Sequence, residues 1–104
     1  MFQEKPEAKL VISFPAPLSR ADIGVDEHVE LISRPGWSLA IEGNSTWKAR
    51  IKIAFDDWRE DLVVIRDGIN MFPAPCDNAW AYPADPGHWT FEFGNYKLQL
   101  EVTE

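Results

Sequence analysis

Cys76, His28 and His88 are the side chains of this sequence best suited to nucleophilic, acid–base or soft-metal chemistry, and the chain holds one cysteine and two histidines. A thiol nucleophile needs an imidazole within hydrogen-bond reach and a third group to orient that imidazole. Cys76 sits in a proline-rich stretch not far ahead of His88, but no glycine-rich turn leads onto a helix beside it to hold an oxyanion. Zinc asks for several converging nitrogen or sulfur ligands, which only these three residues offer. His28 lies in DEHVE among Asp26, Glu27 and Glu30, and His88 follows Asp85 closely. The expectation is no catalytic residue, no metal and no cofactor.

Carboxylates are more abundant. DDWRED (56–61) places Asp56, Asp57, Glu60 and Asp61 around Arg59. The run lacks the glycine and the alternating ligands of an EF-hand loop. A carboxylate pair could serve glycoside hydrolysis only at a defined separation, which spacing along the chain does not give. A solvated turn or helix cap that steers a basic partner is the expected role. Lys48, Arg50 and Lys52 form a basic row, but aromatic residues for stacking bases fall on the opposite face, so nucleic-acid binding is not expected. Walker, GxGxxG and G-x-S-x-G motifs are absent from the sequence.

The richest stretch is PAPCDNAWAYPADPGHW (73–89), with four prolines, two tryptophans and a tyrosine. Long connections of this kind are usually functional or disordered. Trp80 and Tyr82 share parity, so an extended backbone presents both rings to one side. They either fold over an open end of the core or form a binding surface. In the second case Asp77, Asn78, Asp85 and His88 surround them with polar groups. Trp and Tyr are common interface anchors, and prolines lower the entropy lost on binding.

The elements that position these residues read as strands. HWTFEF (88–93) and YKLQLEV (96–102) alternate around Gly94-Asn95, a two-residue hairpin loop. That register sets Trp89 opposite Leu100, Phe91 opposite Leu98 and Phe93 opposite Tyr96. Its other face sets His88 opposite Glu101, Thr90 opposite Gln99 and Glu92 opposite Lys97. WSLAIE (37–42) and TWKARIKIAF (46–55) form a second hairpin. A loop of three or five residues aligns Ile41 with Trp47, Leu39 with Ala49 and Trp37 with Ile51. KLVISF (9–14) is a strand with Leu10, Ile12 and Phe14 on one face, stopped by Pro15 and Pro17. HVELIS (28–33) is another, closed by Arg34-Pro35-Gly36, and residues 18–27 read as loop. DLVVIRDG (61–68) favours a strand and turn, with a helix over 57–67 as the alternative. Three successive β-branched residues weigh against the helix.

Six to eight short strands with at most one helix predict an antiparallel β-sandwich or a partly open barrel, in one domain over residues 1–104. The 104 residues are 45 % hydrophobic, 12 % aromatic and 26 % charged, as in an ordinary globular chain. A net charge of −7 disfavours nucleic acid and anionic membranes. No run approaches the ~20 apolar residues of a membrane-spanning helix. A single cysteine and an N-terminus without a secretory pattern predict a cytoplasmic location. The functional expectation is an acidic, non-catalytic domain that binds a protein, such as an inhibitor, an immunity-type factor or an assembly subunit. The alternative is a carbohydrate-binding module using the rings of 73–89, with a small hydrolase third.

Overall fold

The computed structural model describes residues 10–43, 49–57, 59–72, 74–76 and 79–104, with backbone alone at 74–76. In chain order the strands are β1 (Leu10–Ser13), β2 (Leu18–Ser19), β3 (His28–Arg34), β4 (Trp37–Glu42), β5 (Arg50–Phe55) and β6 (Val63–Arg66). There follow β7 (Ile69–Asn70), β8 (Ala74–Cys76), β9 (Ala79–Pro83), β10 (Gly87–Phe93) and β11 (Tyr96–Thr103). One sheet runs β1-β11-β10-β6-β7, with β2 also on β11; the other runs β3-β4-β5-β9-β8. The two sheets pack face to face as a sandwich, more finely divided than the six to eight strands expected.

Alternation explains the layers. Every second residue of β10 and β11 is apolar, and Trp89, Phe91, Phe93, Leu98, Leu100 and Val102 are all buried. The opposing sheet answers with Trp37, Leu39, Ile41, Ile51, Ile53 and Phe55. Edge-to-face ring contacts join these aromatics, with Trp37 5.1 Å from Phe93 and Phe55 4.9 Å from Phe93. Such pairs add stability beyond the area they bury. The β10–β11 register is the one the sequence predicts at every expected pair.

The β4–β5 register differs from expectation. Ile41 lies opposite Ile51, Leu39 opposite Ile53 and Trp37 opposite Phe55. Residues 43–49 now separate the strands, and Trp47 lies outside the described residues. Parity is unchanged, so the same faces are buried. The cause sits at Gly43, whose N–H donates to the Glu27 carbonyl at 2.9 Å while its own carbonyl accepts from the Asp26 N–H at 3.1 Å. Gly43 is thus held by the preceding loop and cannot serve in a tight turn. A Cβ at Gly43 would stand 2.0 Å from the Gly24 carbonyl oxygen, so only glycine fits this approach.

The segment 61–70 settles as β6, a turn and β7, and no helix forms among the described residues of 57–67. Val64 is buried opposite Phe91, which the helical alternative would have sacrificed. Asp67 and Gly68 take φ of 52° and 83°, the left-handed pair that a two-residue hairpin turn demands. At the N-terminal side, β1 runs parallel to β11 and ends before Pro15, as expected. Ile12 and Phe14 pack on the core, but Leu10 is exposed. The predicted loop 18–27 contains β2 and a 3-10 turn at Arg20–Asp22.

Candidate functional site

The proline-rich stretch is not one long loop. It contains β8, β9 and the start of β10, with Pro75 in an edge strand and Pro83 at a strand end, where a missing N–H costs least. Trp80 and Tyr82 pair with Ile53 and Ile51 in the interior of the sheet. Trp80 is 7 % exposed and Tyr82 1 %. Their expected role as surface anchors is therefore corrected: the alternation that puts both rings on one side points that side at the core. The burial also removes the stacking platform that a carbohydrate reading required of these two rings.

Of their expected polar companions, Asp85 and His88 make contacts of their own. Asp77 and Asn78 lie outside the described residues. Asp85 sits 3.4 Å from the Arg20 guanidinium, and its backbone carbonyl accepts the Trp89 indole N–H at 2.9 Å. His88 stands on the outer face of its sheet across from Glu101, and its backbone N–H donates to Asp67 at 2.9 Å. Cys76 is placed only by its backbone, in β8. Among the described residues of the expected site, Trp80 and Tyr82 are thus core while Asp85 and His88 are engaged in contacts within the chain.

A different site emerges where the sheets open beside β6 and β9. Leu62, Val63, Met71 and Phe72 line an apolar cleft of about 250 Å³ that also touches Trp80 and Tyr82. Phe72 is 88 % exposed and Val63 46 %, and Ile69 on neighbouring β7 is exposed as well. Tyr82 is almost wholly buried, and burial pushes the pKa of its hydroxyl well above the ordinary value. Nothing in the sequence pattern singled out this rim. Its one signal was the apolar run Ile69, Met71 and Phe72 directly after the Asp67-Gly68 turn.

The acidic turn forms a second hollow, of about 650 Å³, lined by Gly36, Phe55, Asp56, Asp57, Arg59, Glu60 and Asp61. Phe55 in this hollow and Trp80 in the cleft are ring neighbours, with centroids 5.5 Å apart. Asp61, unlike the other three carboxylates, is committed to contacts within the chain. Its oxygens accept Arg59 Nε at 2.7 Å, Arg59 Nη2 at 3.0 Å and the Gly94 N–H at 2.7 Å. The Arg59 hydrogen bonds, then that of Gly94, hold its pKa down at about 2. Arg59 in turn lies over Phe55 and Phe93, 5.4 and 5.5 Å from their centroids. Asp56, Asp57 and Glu60 form no ion pair with any described residue, and their charge faces solvent.

A third cluster surrounds Glu42. His28 Nδ1 approaches one carboxylate oxygen at 2.8 Å, Arg50 binds the other at 2.9 Å, and Lys52 stands 4.0 Å away. Burial raises the Glu42 pKa, but His28, Arg50 and Lys52 together bring it below the ordinary value. Two of the three members of the basic row are thereby engaged, and Lys48 lies outside the described residues. No group of three or more His, Cys, Asp or Glu among the described residues is arranged to hold a metal ion. No helix among them is long and apolar enough to cross a membrane. No protein-family profile, curated protein or solved structure matches the chain.

Proposed function

We propose that this chain is a protein-binding domain without catalytic activity, working in the cytoplasm, and that it captures its partner at the cleft between β6 and β9. The observation that carries the reading is the concentration of exposed apolar side chains there. Val63 and Phe72 stand at the mouth of a cleft floored by rigid, buried rings. Interface hot spots take this form, an apolar pocket held rigid from beneath so that little entropy is lost on docking. The exposed charges of Asp56, Asp57 and Glu60 support a basic partner, because long-range attraction speeds encounter and disfavours acidic competitors. A lone cysteine supports a reducing compartment.

Selection of a random-peptide library on the folded protein tests the reading. Enriched peptides should bind the wild type and lose binding to a Val63→Ser, Phe72→Ser variant of unchanged thermal stability. Failure to enrich any sequence, or binding indifferent to the two substitutions, would refute the docking site.

A further inference from the structure

We infer that the captured segment is a short extended peptide that sets one large apolar side chain in the cleft and Lys or Arg residues over Asp56, Asp57 and Glu60. This rests on the docking site proposed above and specifies its ligand. Two observations support it.

The cleft, about 250 Å³, lies below the roughly 300–1,000 Å³ of sites that hold drug-sized ligands, and suits a single side chain. The acidic hollow adjoins the cleft along the chain, since Asp61 lines the hollow and Leu62, the next residue, lines the cleft. An extended chain advances about 3.3 Å per residue, so a basic residue about two to four positions from the apolar anchor reaches the carboxylates. Arg59 already neutralises Asp61, so selectivity falls to the remaining three acids.

The test uses fluorescein-labelled synthetic peptides with one Phe flanked at these positions by Lys, and matched peptides carrying Glu for Lys or Ser for Phe. At low salt the Lys peptide should bind about tenfold tighter than the Glu peptide, with the gap closing as salt rises. Replacing Phe by Ser should weaken binding by a similar factor. The combined Asp56→Asn, Asp57→Asn, Glu60→Gln variant should treat Lys and Glu peptides alike. Equal affinity for Lys and Glu peptides, or a gap that survives the triple substitution, overturns the inference. Library ligands that need Val63 and Phe72 but lack basic residues would sink it while leaving the docking site intact. A library that yields nothing sinks both.

Discussion

Replacing Asp61 by Asn should remove a pH-dependent brace from the end of the sandwich. Asp61 ties Arg59 and the Gly94 N–H together, and Arg59 covers Phe55 and Phe93. Its pKa falls from an ordinary 3.8 to about 2. At about 1.4 kcal/mol per pH unit, the full depression is worth roughly 2.5 kcal/mol. The Asp61 side chain is 50 % exposed, so solvent screens the pair and about 1 kcal/mol is expected to survive. Because the folded-state pKa is the lower one, this stabilisation is complete above about pH 4 and is lost as pH falls toward 2. Urea unfolding of the wild type and Asp61→Asn should therefore differ by about 1 kcal/mol at neutral pH, a melting-temperature loss of roughly 4–8 °C. The difference should shrink to a small residue near pH 2. A gap that is the same at both pH values would refute the ionic origin, and no gap at neutral pH would refute the brace itself.

Trp80→Ala should cost about 3–5 kcal/mol in chemical denaturation, since the ring is core and not surface. Tyr82→Phe should change stability by less than about 1 kcal/mol in the same assay, because it keeps the buried ring and removes only the hydroxyl. Gly43→Ala should lower stability by about 1–3 kcal/mol, as the new Cβ meets backbone and not a yielding side chain. Phe72→Ser should change stability by less than about 0.5 kcal/mol, the behaviour of a side chain exposed to solvent.

The layers of this sandwich were legible because period-two alternation reports which face is buried. The β10–β11 hairpin was readable to the residue, since Gly94-Asn95 leaves one loop length and one register. The β4–β5 hairpin was legible only in parity. Its loop length depends on Gly43 meeting Gly24 and Glu27, a contact between segments that no local pattern encodes. Trp80 and Tyr82 were placed on the correct common face, but the prolines around them suggested a loop. Proline marks strand ends and edges as readily as loops, and pairing with β5 decides between them. The cleft rim was not singled out for a related reason: the Asp67-Gly68 hairpin brings Phe72 back toward Val63, but Trp80 and Tyr82, the floor of the cleft, come from the other sheet. Arg59 illustrates the limit of charge counting, because its partner Asp61 is two residues away but its two supporting rings, Phe55 and Phe93, arrive from separate strands.

The parallel union of β1 with β11 carries a mechanical consequence. Leu10 lies beside Tyr96 at the start of β11, whereas Ser19 lies beside Thr103 at its finish. Tension applied at Leu10 and Thr103 therefore pulls the two strands lengthwise past one another, over a span of about 23 Å. The rungs of this ladder share the load and must rupture together, unlike a hairpin peeled open one rung at a time. Tethered by its ends, this domain should resist stretching more strongly than its modest size suggests.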